Sequence, residues 1–149
     1  MISRAMLLMV LLSAGMAGCQ TPPGRWLPPP ANAPTQVCEG AICNVDVVVP
    51  SGCVINVTDV LDTRRGPSVQ TINWNLKAPT GYKFSDAPLN WGIVIKEGSD
   101  QFRADPYHAT KITVHFTHKV PPTYPHHAYG INIVRPDGPC PTKDPWVWE

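Results

Sequence analysis

The sequence predicts an all-β domain, a sandwich of about seven short strands braced by disulfides, and three observations carry that prediction. From Cys38 onward the chain breaks into short apolar runs separated by Pro, Gly, Asn and Asp, the rhythm of turns between strands. Several runs alternate apolar and polar residues with a period of two, and no stretch sustains a helical period. The composition agrees: 18 prolines and only 15% charged residues describe a turn-rich, β-leaning chain.

Taken in order, the first run covers residues 45–49 and the second 53–58, and Pro50-Ser51-Gly52 between them suggests a hairpin. A loop with Asp62, Arg64, Arg65, Gly66 and Pro67 follows; its adjacent arginines could bind an anion but also suit a solvated turn. The third run, 69–76, puts Ile72, Trp74 and Leu76 on one face and Thr71, Asn73 and Asn75 on the other, which marks a half-buried strand. Residues 82–84 form a short fourth run after Pro79-Thr80-Gly81, and 91–95 a fifth with Trp91, Ile93 and Ile95 aligned. The sixth, 111–117, would bury Ile112, Val114 and Phe116. The seventh, 129–134, would bury Tyr129, Ile131 and Ile133.

Seven strands in about 100 residues match a single immunoglobulin-like β-sandwich in count. The segments Cys43…Cys53-Val-Ile-Asn-Val, Ile72-Asn-Trp74, Tyr129-x-Ile-x-Ile133 and Cys140-Pro-Thr-Lys-Asp144-Pro145 also resemble small exported proteobacterial β domains. That resemblance implies a fold and carries no chemistry.

Ahead of the domain, Arg4 supplies a one-charge start and residues 5–14 (AMLLMVLLSA) an apolar run. The run is too short to cross a bilayer, which takes about 20 residues, so it reads as an export signal. Met16-Ala17-Gly18-Cys19 resembles the lipobox of bacterial lipoproteins, with Met where that family most often has Leu. The resemblance implies that residues 1–18 are removed and that Cys19 is acylated, which anchors the protein in a membrane. Gln20, rather than Asp, after the cysteine implies the outer membrane of the cell envelope, with the domain facing the periplasm. The competing reading is an ordinary secretory signal cleaved after Ala17 or Gly18. Residues 19–37 then form a proline-rich linker, extended at about 3.1 Å per residue and long enough to hold the domain, residues 38–149, on the order of 50 Å from the membrane. Within it, Arg25-Trp26-Leu27 is an alternative recognition peptide.

Setting Cys19 aside leaves Cys38, Cys43, Cys53 and Cys140, an even number suited to two disulfides in an oxidising compartment. Three connectivities exist. In a tight hairpin Cys53 would lie opposite Val49, not Cys43, so spacing ranks Cys38–Cys43 with Cys53–Cys140 first. A zinc site would need paired CxxC spacing, which these cysteines lack.

All five histidines fall between residues 108 and 127. If the sixth and seventh strands pair through the loop 119–127, His115 approaches His126 and His127, and these three could bind a transition metal. Surface histidines or polar strand caps are the plainer alternatives. Tyr107 and Tyr124, with prolines 121, 122 and 125, make residues 105–127 a rigid aromatic loop of the kind that binds partners. Trp146 and Trp148, two apart, would aim to one side of an extended segment, as a platform for a partner or sugar ring or as cover for the sandwich edge.

Without Arg4 the chain has eleven basic and eleven acidic residues, and it has no basic run, so nothing marks a nucleic-acid partner. GxSxG and SxxK motifs are absent and the acidic residues are scattered through turns, so no enzyme is expected, and no cofactor apart from the alternative metal. The expectation is a lipid-anchored envelope binding protein with a protein partner, for instance an inhibitor or immunity factor. The alternatives are a structural accessory subunit of an envelope or secretion assembly, and a metal-binding periplasmic protein.

Overall fold

A computed structural model of the protein describes residues 28–87, 91–122 and 124–149. The leader, Cys19 and Arg25-Trp26-Leu27 lie outside those residues. The described chain is almost wholly β, with one 3₁₀ turn at Ser99–Gln101. In order the strands are β1 (Thr35–Val37), β2 (Ile42–Val48), β3 (Val60–Asp62), β4 (Val69–Lys77), β5 (Lys83–Phe84), β6 (Ile93–Ile95), β7 (Phe102–Ala104), β8 (Lys111–Thr117), β9 (His126–Ile131), β10 (Ile133–Arg135), β11 (Gly138–Pro139) and β12 (Trp146–Trp148).

They form three sheets: a five-stranded one in the order β1-β3-β12-β9-β6, a four-stranded one in the order β2-β4-β8-β7, and a small one in the order β11-β10-β5. The all-β, disulfide-bridged class is what the sequence suggests. Twelve described strands in three sheets replace the expected seven because pieces of two or three residues are too short to show a period of two.

The hairpin expected between 45–49 and 53–58 does not form. β2 pairs instead in parallel with β4, in a register that sets Cys43 beside Ile72, Val45 beside Trp74 and Val47 beside Leu76. All six side chains are buried, so the register joins two apolar rows into one continuous inner surface. Residues 53–58 meet β2 through a single bridge, Val48 to Asn56.

The expected pairing of the sixth and seventh runs also fails. β8 is antiparallel to β4 and β7, whereas β9 lies between β12 and β6 in the other large sheet. The two large sheets pack face to face, and the Trp74 ring of β4 meets the Tyr129 ring of β9 at 5.4 Å. Ile72, Phe116, Leu61, Val147 and Ile131 complete the same core. Each large apolar side chain buried there contributes roughly 1.5–3 kcal/mol relative to exposure.

β12 overturns the idea that the tryptophan segment covers an edge. It is an interior strand, parallel to β3 on one side and antiparallel to β9 on the other. Val147 points inward and is fully buried, which puts Trp146 and Trp148 on the outer face. Cys38–Cys43 closes the corner where the chain leaves β1 in one sheet for β2 in the other, with Cα atoms 5.3 Å apart. Cys53–Cys140 joins points 87 residues apart in sequence.

Candidate partner-binding loop

Between β8 and β9 the described residues 118–122 and 124–125 connect the two sheets, and both ends of this connection are fastened to buried side chains. The His118 N–H donates to the Ser68 carbonyl at 2.9 Å, continuing the β8 edge for one residue. The Lys119 N–H donates to the Glu149 carboxylate, and the Glu149 N–H donates to the Pro125 carbonyl. Both ends of the loop therefore hang from one residue. At the rim the Lys119 ammonium pairs with Asp100.

Glu149 is held in turn. Its side chain is 3% exposed and lies 3.1 Å from Nε2 of His127, whose side chain is 0% exposed. The Gln101 amide donates to both carboxylate oxygens, at 3.0 and 2.9 Å, and to the Thr117 carbonyl at 3.1 Å. The other His127 nitrogen, Nδ1, faces the Glu97 carbonyl at 3.0 Å. The Glu97 carbonyl is an acceptor and a neutral imidazole has one N–H, so the ring faces a carbonyl on one side and the Glu149 carboxyl on the other. The Gln101 amide satisfies further lone pairs of that carboxyl.

The sequence makes room for this arrangement. Gly98 has φ +64, and a Cβ there would lie 2.7 Å from the His127 ring, so both backbone and space require glycine. Phe102 and Phe116 wall the imidazole with ring centroids at 5.0 and 5.7 Å. His118 packs against Phe116 at 4.5 Å, and its Nε2 is buried with no partner among the described residues. Burial holds His118 below the ordinary imidazole value, with the neighbouring Glu149 charge working the other way. The Gln101 carbonyl oxygen is likewise buried and unpartnered among the described residues.

Above this base the loop shows apolar surface. Val120 is 96% exposed, followed by Pro121 in a cis peptide and Pro122, both exposed. Tyr124 is 39% exposed and lies 6.0 Å from the His127 ring.

Of the residues singled out from sequence, the structure places Tyr124 and His127 in this loop and its base and disperses the rest. His115, His126 and His127 do not converge, because β8 and β9 belong to different sheets. His115 points out of the four-stranded sheet, bonded to Thr71 Oγ1 at 3.3 Å and Asp105 at 3.0 Å, while His127 touches Phe116 on the inner side of that sheet. Among the described residues no group of three His, Cys, Asp or Glu side chains is arranged to hold a metal. The Thr71–His115–Asp105 line adjoins a satisfied polar ladder of Asn44, Asn73 and Thr113, as expected of a solvated sheet face.

His126, facing outward, is the cross-strand neighbour of Trp148. Tyr107 is tied by its hydroxyl to the Phe84 carbonyl at 2.7 Å and stands edge-on to Trp91. Trp148 is no open platform: Arg64 covers its ring at 4.0 Å and is clamped by Asp62 through two bonds of 2.8 and 2.7 Å. Arg65 pairs with Glu39, so both loop arginines have carboxylate partners and neither is poised for an anion.

A separate cleft of about 310 Å³, lined by Ser85, Asn132, Val134, Pro139 and Thr142 among others, lies beside Cys140. Asn132 and Thr142 satisfy each other across its wall.

Sequence reasoning missed Glu149 and Gln101, which lie 22 and 26 residues from His127 with no local spacing to mark them, and noted His118 only as one of five clustered histidines; Gly98 is a local signal whose meaning depends on what it touches.

No protein-family model matches this chain, and no curated protein or solved structure shows significant similarity to it.

Proposed function

We propose that the protein is a binding module of the cell envelope, tethered through acyl chains on Cys19, that presents the loop 118–125 to a protein partner. In this reading the double-layered β domain is an immunoglobulin-like scaffold and the loop is its contact element. The observation that carries the proposal is Val120, almost fully exposed at the tip of a loop whose two ends are fixed by a buried carboxylate. Apolar surface held rigid before contact loses little conformational freedom on binding, which favours affinity. Exposed Val120 followed by two exposed prolines suits contact with an apolar site on the partner, as an inhibitor or immunity factor would use. Activity by contact requires no cofactor.

The test is capture from an envelope extract with the purified full chain, followed by quantitative mass spectrometry. A partner held by the wild type and by Val54→Asp, an exposed site outside the loop, is lost with Val120→Asp. Capture insensitive to Val120→Asp removes the loop from the interface.

A second reading, an accessory subunit joined edge to edge, draws on β2. It is an edge strand whose outward Ile42 is 61% exposed, a position open to strand addition. Loss of large complexes with Ile42→Lys, and not with Val120→Asp, would favour it.

A further inference from the structure

We propose that the cleft beside Cys140 is a binding site for the acetamido group of a neutral N-acetylated sugar. The site stands on its own geometry and uses neither the loop nor the anchor.

The fold opens this cleft where one run of chain divides between two sheets. β9 ends at Ile131, bridged to Lys143, and β10 begins at Ile133, whose carbonyl accepts the Cys140 N–H at 2.8 Å. Between those two attachments Pro141 and Thr142 belong to no strand, and Asn132 sits at the junction facing them. On the other side the chain leaves β5 at Ser85, whose N–H donates to the Asn132 carbonyl at 2.9 Å. The space between is about 310 Å³, at the small end of the roughly 300–1,000 Å³ of ligand sites. One wall is braced, because Cys140 is bonded to Cys53.

Among the described residues no charged side chain lines the cleft. An ion entering it would lose hydration with nothing to replace it, so the occupant is neutral. Val134 and Pro139 offer apolar surface to a methyl group. The polar groups are only partly spent. Asn132 gives one amide hydrogen to the Trp91 carbonyl at 2.8 Å, and its own carbonyl oxygen accepts the Thr142 hydroxyl at 2.7 Å. One Asn132 N–H is left to donate and the Thr142 oxygen is left to accept. Ser85 is 3% exposed; its oxygen accepts the Ala87 N–H at 3.3 Å, and its own proton has no acceptor among the described residues. A buried hydroxyl with an unspent donor, beside one further donor and one acceptor, matches a secondary amide, whose carbonyl accepts and whose N–H donates.

The carrier of that amide is compact rather than an extended peptide. β11, the outer strand of the small sheet here, contains Pro139, which has no N–H to offer a joining strand. A sugar ring at the mouth keeps its remaining hydroxyls in water, where they need no protein partner.

The experiment titrates the isotopically labelled full chain with sugars and follows backbone amides by NMR. N-acetylglucosamine shifts the Ser85, Asn132 and Cys140 amides of the wild type to saturation, and glucose, which lacks the acetamido group, leaves them in place. Thr142→Val keeps the shape and loses the acceptor, and it weakens the titration about fivefold, as one hydrogen bond is worth. No shift of those amides up to tens of millimolar sugar overturns the proposal, as do equal shifts with glucose or an unchanged titration of Thr142→Val. N-methylacetamide, an amide without a ring, separates the sources: shifts with it and none with the sugar assign the cleft to a peptide bond and overturn the sugar. Should Thr142→Val fail to fold, the comparison of the two sugars on the wild type still decides. The titration needs no protein partner, so its failure leaves Val120-dependent capture standing, and failed capture leaves the cleft standing.

Discussion

Glu149 receives hydrogen bonds from the Lys119 backbone, the Gln101 amide and the His127 ring while showing almost no surface to water. Removing a buried charge strands its partner, which costs more than the pair itself contributes. Glu149→Ala therefore lowers unfolding free energy by about 3–5 kcal/mol in urea melts, because His127, Gln101 and the Lys119 N–H lose the acceptor they share. Glu149→Gln, which retains shape and an acceptor oxygen, costs less; equal losses for the two variants would show that packing, not charge, matters there. Near the same end of β12, where Asp62 is the cross-strand neighbour of Trp148, a second carboxylate is held by a partner. The hydrogen bond from the Arg64 side chain is the largest cause that lowers its carboxyl beneath the ordinary 3.8. A lowered carboxyl stabilises the fold above its ordinary value and loses that contribution as pH falls through the folded one. In urea melts at a series of pH values, the stability advantage of the wild type over Arg64→Gln is accordingly full above the ordinary value of 3.8 and shrinks as pH falls below it.

At the scale of elements, alternation revealed faces and left partners open. The inner rows of β4 and β8 are those the period of two picks out: Ile72, Trp74 and Leu76, then Ile112, Val114 and Phe116. The direction of β2 was not legible, because Val45 and Val47 bury equally well against a hairpin or a parallel neighbour. Only the fit of their row to Ile72 and Trp74 decides it. Likewise Trp146-Val147-Trp148 shows one inward residue in three, and nothing local says that the strand enters the middle of a sheet. Cysteine parity was informative because covalent pairing is countable. The Cys53–Cys140 bridge closes a loop of 87 residues and Cys38–Cys43 one of 5. Chain entropy then assigns about 4.6 kcal/mol to the long loop and about 2 kcal/mol to the short one. Cys53→Ser with Cys140→Ser should lower the denaturation midpoint more than Cys38→Ser with Cys43→Ser. The reverse order would mean that the short bridge fixes the β1 to β2 corner beyond its loop length.

For the whole molecule, the order along the sequence is a short apolar run, Cys19, a proline-rich stretch and the disulfide-braced β strands. The proposed binding role depends on where that domain is held. Labelled palmitate supplied to bacteria expressing the full chain enters the wild type and not Cys19→Ser. Equal labelling of the two removes the anchor and with it the envelope setting. Under the proposed anchoring, an extended proline-rich linker on the order of 50 Å would let the loop search a volume near the membrane, and shortening the prolines at 28–30 should then slow capture without changing the loop itself.

The amino-acid sequence by itself determined the β class, the apolar face of each longer strand and the even set of cysteines beyond Cys19, because each is a property of the chain's own order of residues. Tertiary structure alone decided that β2 runs parallel to β4 and that β12 is interior. It alone brought Gln101, His127 and Glu149 together under one loop and left His115 outside. Strand partners and buried charge pairs depend on which rows of the whole chain fit side by side, and that sum over distant contacts is written in no single stretch.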